Sequence, residues 1–190
     1  TIGAWLHIAA DGQVTVYTGK VEVGQDIRTS LTQAVADELG VPPAAIRLVM
    51  GDTDLTPYDA GTFGSRSTPQ MGTQLRRAAA AARERLLALA AERWKVDPNG
   101  LSVSDGKVVD PQSGRSIGIG ELTRGERLVQ AIPADVAIAP PDRWKVAGKT
   151  LPKVAGREIV TGQHRYTSDM RLPGMLIGKV LRPPAFGARL

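Results

Sequence analysis

The chain has 190 residues, of which 42% are apolar and 23% charged, and its net charge is +5, a balance typical of a folded domain. The absence of cysteine excludes disulfides, thiol catalysis and any iron–sulfur cluster bound by this chain, and two histidines are too few for a multi-histidine metal site. No apolar run reaches the ~18 residues that a membrane span requires.

The N-terminal residues predict a β-hairpin. Residues 4–9 and 13–18 are rich in apolar side chains, and they flank Asp11 and Gly12. Asp-Gly between two such runs is a strong hairpin signal, because glycine adopts a positive φ without steric cost. The alternation along the second strand places three side chains on one face: Val14, Val16 and Thr18.

An amphipathic helix is predicted next, because apolar residues recur at every fourth position: Ile27, Leu31, Val35 and Leu39. We expect the side chain of Asp26 to cap its start and Gly40 to end it. Residues 46–50 then predict a strand. Residues 51–64 are rich in Asp, Thr, Pro and Gly and predict a loop.

The longest helix is predicted to follow this loop. Thr68 is expected to be its N-cap, and Pro69 suits its first turn, where a missing N–H costs nothing. The alanine run 78–82 favours helix strongly. The helix should therefore extend to about Trp94.

The second half of the chain predicts shorter elements. Residues 101–104 and 107–109 flank a second Asp-Gly pair and predict another hairpin, and residues 117–128 predict a short helix. The proline-rich residues 133–141 predict a linker, and residues 175–181 predict a strand.

Positive charge is concentrated at the C-terminal end. Residues 143–190 hold 10 basic and 2 acidic residues, whereas residues 1–142 are net acidic. A basic segment is found in nucleic-acid-binding proteins, but also in surfaces that dock on a partner. Because aromatic residues make up only 4% of the chain, stacking platforms for bases are scarce, and we predict no nucleic-acid partner.

Two loops are candidates for binding an anion. In each, a glycine-containing loop follows a strand and leads into a helix, at residues 24–26 and at residues 61–68. Helix N-termini offer unpaired N–H groups and a partial positive charge. The second loop adds hydroxyl donors and a guanidinium: Ser65, Ser67, Thr68 and Arg66. The same residues are also typical of an ordinary capped helix, and neither loop has the spacing of a P-loop or a Rossmann fingerprint.

Residues 19–25, 49–53 and 61–68 resemble the molybdopterin-binding large subunit of the xanthine dehydrogenase family, in its isoquinoline 1-oxidoreductase beta-subunit type. Residues 166–169, 172–176 and 180–183 are similar to the opening of that family's α/β hammerhead domain. The two sets of motifs occur in the order of this subtype and together extend over nearly the whole chain.

The fold that we expect is α+β, a mixed sheet with hairpins packed against two helices. The resemblance adds the start of an α/β hammerhead-like unit. We place a segment of the molybdopterin-binding domain at residues 1–140, a linker at 141–156, and an incomplete hammerhead-like segment at 157–190. The chain begins without methionine and stops directly after a Pro- and Gly-rich stretch, so we expect it to be a piece of a longer polypeptide. Two bacterial compartments stay open, the cytoplasm and the periplasm.

The resemblance implies an oxidoreductase. Members hydroxylate N-heteroaromatic or aldehyde substrates with oxygen from water, and they use a molybdenum-bearing molybdopterin cytosine dinucleotide. Electrons leave through iron–sulfur clusters on a partner small subunit. The implied partners are therefore the remainder of the large subunit, the iron–sulfur subunit and a small-molecule substrate, with no membrane span.

The resemblance also assigns residues to the cofactor. Gly24 and Gln25 match the loop that contacts the pterin, where Asp26 replaces the family's usual second glycine. A second set matches the loop that holds the pyrophosphate region: Gly64, Ser65, Arg66, Ser67 and Thr68. The family's glycine-rich motif with the catalytic glutamate does not occur, so no catalytic or metal-ligating residue is assigned, and we expect the chain alone to be inactive. A non-catalytic assembly module and an unrelated nucleotide-binding domain stay open as alternatives.

Overall fold

A computed structural model of the chain describes residues 1–124 and 128–188. It divides into two units, Thr1–Val154 and Ala155–Leu190. The α+β class is confirmed. The strands, however, form two separate three-stranded sheets rather than one, because the second hairpin pairs only with a short strand that follows it.

The first sheet is mixed and has the order β1-β2-β3. Strand β1 (Leu6–Ile8) is antiparallel to β2 (Val14–Thr18), which confirms the first hairpin, and β2 is parallel to β3 (Ile46–Met50). The side chains predicted to share one face of β2 are all buried at 0% exposure, so this face lies on the core.

Helix α1 (Ile27–Leu39) connects β2 to β3. Its four predicted apolar residues are at most 2% exposed, and Gly40 ends it in the left-handed conformation, with φ of 69°. The prediction that the side chain of Asp26 caps the start is wrong. Asp26 has a φ of 63°, and its carboxylate accepts a hydrogen bond from the Thr29 hydroxyl at 2.6 Å. Glu22, farther back in the loop, accepts the N–H groups at the helix start instead.

Helix α2 (Thr73–Trp94) ends where the sequence predicts, and a π-helical turn, Ser67–Gly72, leads into it. The prediction of Thr68 as the N-cap is therefore wrong. Thr68 lies inside the helical segment, where its hydroxyl is 3.2 Å from that of Ser30 in α1. The run 78–82 is wholly buried, and its methyl side chains let α2 pack closely in the core.

The second sheet is antiparallel and consists of β4 (Ser102–Ser104), β5 (Lys107–Val109) and β6 (Ser116–Gly118). The second predicted hairpin is confirmed. The predicted helix at 117–128 is wrong in extent, because residue 117 belongs to β6 and α3 is confined to Ile119–Leu122. Residues 125–127 of that prediction lie outside the described part of the chain.

Residues 128–154 contain only one short 3-10 turn, Pro141–Arg143, among irregular backbone. Charged side chains of α1 and α2 nevertheless hold this segment in place. The carboxylate of Asp37 accepts the N–H groups of residues 145, 146 and 147 at 2.7, 2.9 and 2.7 Å. Glu38 accepts the N–H of Ala139 at 2.9 Å. The proline-rich stretch is therefore attached to the helices along its length.

The second unit has little regular structure. Helix α4 (Gly156–Val160) and a 3-10 turn at Thr167–Asp169 are its only elements among the described residues. The predicted strand at 175–181 does not form, because no strand pairs with it and its apolar side chains stay exposed. No described helix of the chain is long and apolar enough to cross a membrane.

Candidate functional site

The loop that leads into α1 and the loop that leads into the π-helical turn before α2 line one cavity. We call residues 19–26 the first loop and residues 51–66 the second loop. The cavity between them has a volume of ≈ 350 Å³. Sequence-predicted residues that line it are Gln25, Gly64, Ser65, Ser67 and Thr68, whereas Gly24, Asp26 and Arg66 do not. Four further residues complete the lining: Val23, Ile27, Thr62 and Phe63.

The first loop is closed by its own side chains. The carboxylate of Glu22 accepts the N–H groups of Gly24, Asp26 and Arg28 at 2.8, 3.0 and 3.1 Å. The amide of Gln25 donates to the carbonyl of residue 21 at 2.9 Å and accepts the N–H of residue 23 at 2.7 Å. Gln25 therefore holds the loop in shape as well as lining the cavity.

The ionisation of Glu22 follows from these contacts. Burial raises the pKa of its carboxyl, but the N–H groups of Arg28, Asp26 and Gly24 and the charge of Lys153 together outweigh burial, so the pKa lies below its ordinary value. Glu22 is thus an anion at neutral pH. Its charge is directed at the N–H groups at the start of α1.

The other two predicted residues of the first loop, Gly24 and Asp26, are not among the lining residues of the cavity. Gly24 has a φ of 102°, which favours glycine, and its carbonyl accepts a hydrogen bond from Lys153 at 3.2 Å. The carboxylate of Asp26 is engaged by Thr29. The negative charge that replaces the expected second glycine is therefore outside the cavity lining.

The second loop presents backbone donors to the cavity. Gly64 and Ser65 are consecutive left-handed residues, with φ of 64° and 56°. Within the described residues, no acceptor receives the N–H groups of Gly64 or Ser65. The π-helical turn that follows adds the unpaired N–H groups of a helix start. Arg66 is exposed, and its side chain lies beside Gly64.

A buried ion pair that sequence reasoning missed fixes the two loops to each other. Lys20 and Asp59 have side chains only 8% exposed, and their charged atoms are 2.8 Å apart. Lys20 also donates to the carbonyl of Gly61 at 2.6 Å, and the N–H of residue 21 donates to the Thr62 hydroxyl at 2.9 Å. The two partners are 39 positions apart in sequence, so no local pattern signals the pair.

The loops are also packed too closely for larger side chains. A Cβ on Gly19 would lie 2.4 Å from the Cβ of Asp59 and 2.8 Å from the carbonyl oxygen of residue 57. Glycine at this position is therefore needed for the close approach of the two loops. Gly19 is thus a sequence signal from which a close contact of this loop could have been inferred, although it does not identify the partner loop.

The cavity has the chemistry of an anion site. Hydroxyl groups and free backbone N–H groups line it, and no carboxylate is among its lining residues. Two sides of the cavity come from different loops, so one ligand could contact both. These properties fit a phosphate-bearing ligand.

Residues 1–155 match the family model described as molybdopterin cofactor-binding domain. A nicotinate dehydrogenase subunit from Pseudomonas putida is 35% identical over 98% of this chain and 16% of its own length. The beta subunit of isoquinoline 1-oxidoreductase from Brevundimonas diminuta is 29% identical over 96% of this chain and 28% of its own length.

Solved structures agree with the sequence matches. Quinoline 2-oxidoreductase from Pseudomonas putida is similar over 62% of this chain and 15% of that chain, with a TM-score of 0.55 and 31% identity. The chain therefore spans less than a third of the length of each of these relatives. The matches support the molybdopterin interpretation and neither of its two alternatives.

Proposed function

The chain belongs to the molybdopterin cofactor-binding domain family, and from that membership we propose that it is part of the large subunit of a molybdenum hydroxylase. The observation that supports this proposal is the convergence of the two loops on one cavity lined by hydroxyl and N–H donors. We assign the chain the task of holding the dinucleotide end of the cofactor and orienting its pterin.

The cofactor is a molybdopterin, and the form that we propose is the cytosine dinucleotide. When bound, it supplies the electron-accepting centre that lets a C–H bond become C–OH with oxygen from water. In this proposal the second loop and the start of the π-helical turn after it bind the pyrophosphate through N–H groups and side chains of five residues: Gly64, Ser65, Arg66, Ser67 and Thr68. Gly24 and Gln25 border the pterin, and Asp26 supports that loop through Thr29.

In this proposal the two loops are held in their binding geometry before the cofactor binds. Lys20 holds the second loop through Asp59 and Gly61, while Glu22 holds the first loop through the start of α1. A preformed set of donors loses less conformational entropy on binding than a mobile one. The two loops therefore act as one rigid anion-binding surface.

The proposed substrate class is N-heteroaromatic compounds or aldehydes. Nicotinate and isoquinoline, named in the two relatives that match nearly all of this chain, are both N-heteroaromatic rings. This agreement favours ring hydroxylation as the reaction of the complete enzyme. The residues that contact the substrate and the catalytic base are proposed to come from outside this chain, so the chain alone is expected to be inactive.

The proposed partners are the remainder of the large subunit and an iron–sulfur small subunit that removes electrons. Within the chain, residues 1–140 would form the molybdopterin-binding segment and residues 141–156 a linker. Residues 157–190 would begin an α/β hammerhead-like unit. The exposed apolar side chains of residues 175–181 agree with a strand that pairs only in the longer subunit.

The cofactor assignment is tested by analysing the chain after production in a host that makes the cytosine dinucleotide cofactor. Molybdenum and CMP released by hydrolysis are measured per chain, for the unaltered protein and for Ser65→Asp. A carboxylate among the N–H donors repels a phosphate, so we expect Ser65→Asp to retain about tenfold less CMP.

The matched control is Thr150→Asp, which adds the same charge at an exposed position away from the cavity. It should retain as much CMP as the unaltered chain. Equal CMP in all three proteins, or none in the unaltered chain, would contradict the assignment of the second loop to the pyrophosphate.

A further inference from the structure

Among the described residues, the outer edge of β3 has no partner strand, because β3 is last in the order β1-β2-β3. The N–H of Gly51 donates to the carbonyl of Thr18 in β2 at 2.9 Å, so this peptide group faces β2. The carbonyl of Leu48 faces the other way and accepts from the guanidinium of Arg28. Since backbone groups alternate in direction along a strand, those of Leu48 and Met50 point away from the sheet.

Most of these outward groups are unpaired. In the part of the chain that the structure describes, nothing accepts the N–H of Leu48 or Met50, and nothing donates to the carbonyl of Met50. Sheet edges in soluble proteins are usually protected by lysine, proline or a bulge. The strand Ile46–Met50 has neither lysine nor proline, and its ladder with β2 is continuous over five residues. It is thus a ready template for another strand.

A groove runs beside this edge, with a cavity volume of ≈ 800 Å³. On the strand side it is lined by Ile46, Leu48 and Met50. Apolar residues from the end of the same unit also line it: Leu151, Pro152 and Val154. Free backbone groups along an apolar groove fit an extended peptide, which supplies both hydrogen bonds and alternating side chains.

The positive charge of the groove indicates the charge of the partner strand. Arg28 and Arg47 line it, and no aspartate or glutamate is among its lining residues. Arg47 is exposed, and its guanidinium makes no hydrogen bond or ion pair within the described residues. A strand that carries an acidic side chain beside Arg47 would complement this surface.

We propose that the groove receives an extended, acidic strand from the part of the subunit that lies outside these 190 residues, an inference that rests on the proposed function as part of a large subunit. The relatives are long enough to supply one, because this chain spans only 16% of the nicotinate dehydrogenase subunit and 28% of the isoquinoline 1-oxidoreductase beta subunit. The added strand extends the first sheet to four strands and buries the apolar side chains of the groove. This interaction is separate from cofactor binding, which takes place at the two loops.

Hydrogen–deuterium exchange tests the proposal, with the 190-residue chain compared with the native subunit that contains it. The amides of Leu48 and Met50 should exchange about 100-fold more slowly in the native subunit, because a strand hydrogen bond must open before exchange. The amide of Val49, which faces β2, should be slow in both. Equal exchange of Leu48 and Met50 in the two samples would overturn the proposal.

A concentration series and two variants identify the occupant. Protection of Leu48 and Met50 that rises with the concentration of the chain alone would show a second copy in the groove, and would overturn the assignment to the subunit. In the native subunit, Arg47→Glu should reduce protection of Leu48 about tenfold, whereas Lys107→Glu on β5 should not change it. Equal protection in both variants would overturn the acidic character of the strand.

Discussion

The buried carboxylate of Glu38 near the end of α1 offers the sharpest test of how this fold is held together. Glu38 is 0% exposed, and its oxygens accept from Arg76 at 2.9 and 2.6 Å and from Arg83 at 2.9 Å. The N–H of Ala139 completes the set. Both arginines also donate to carbonyls of the segment 137–139, and Arg76 stacks on Trp144 at 4.5 Å.

We predict that Glu38→Gln lowers the free energy of unfolding by about 3–5 kcal/mol, the range for breaking a buried ion pair on one side. The amide keeps the size of the side chain but turns one acceptor into a donor that faces a guanidinium. The side chains of Arg76 and Arg83 are only 12% and 24% exposed, so water replaces the lost charge poorly. Such a loss is a large part of the ~5–15 kcal/mol that typically stabilises a domain.

Urea unfolding followed by tryptophan fluorescence measures the change, and limited proteolysis reports whether residues 133–147 detach. The control is Glu84→Gln on the exposed face of α2, which removes the same charge and should cost under about 0.5 kcal/mol. If Glu38→Gln cost no more than Glu84→Gln, the carboxylate could not be what holds the segment to the helices.

Three further perturbations address other parts of the chain. Lys20→Met leaves Asp59 buried without its cation, so we expect a loss of about 3 kcal/mol by urea unfolding and faster proteolysis of the second loop; unchanged proteolysis would contradict a fastening role. Gly120→Ala should lower the free energy of unfolding by about 1–3 kcal/mol, because a Cβ there would lie 2.5 Å from the carbonyl oxygen of residue 9. The control, Gly118→Ala, has open space around it and should lower the free energy of unfolding much less. Equal shifts of the melting temperature in the two variants would refute the packing argument. Hydrogen bonds from Ser113 and Arg115 hold the pKa of Asp110 at about 2, below its ordinary value of 3.8. The ionised carboxylate therefore stabilises the fold at pH values above 3.8, and this contribution is lost as the pH falls through about 2. Asp110→Asn should flatten the acid limb of an unfolding titration, and an unchanged limb would show that this group does not titrate with folding.

Local patterns in the sequence predicted most of the first unit. The four-residue repeat of α1 and the two Asp-Gly hairpins depend on neighbours in the chain, and the structure confirms them. Gly40 was predicted correctly as the end of α1, whereas the side-chain caps at the starts of α1 and α2 were predicted wrongly, because they depend on backbone geometry and distant partners. Asp26 is left-handed, and Thr68 meets the hydroxyl of Ser30, which is 38 positions earlier.

The candidate site shows the same difference between local patterns, which could be predicted, and contacts with distant residues, which could not. The glycines and hydroxyl residues of the second loop were visible as a helix-start pattern, and five predicted residues line one cavity. The residues that fasten the loops were not visible, since the Lys20–Asp59 pair and the Glu38 cluster join positions 38 or more apart. The predicted strand at 175–181 depends on a partner strand that the described chain does not provide.

The π-helical turn Ser67–Gly72 has a consequence for how this site could change in evolution. A π turn accommodates one more residue than an α turn, so it can absorb a deletion by tightening while the rest of the helix keeps its register. The buried alanines of α2 would then stay in place in the core even as the loop beside the cavity became shorter. The end of the helix that borders the cavity can thus vary in length independently of the end that stabilises the fold, which gives related chains a way to fit cofactors or neighbouring loops of different size.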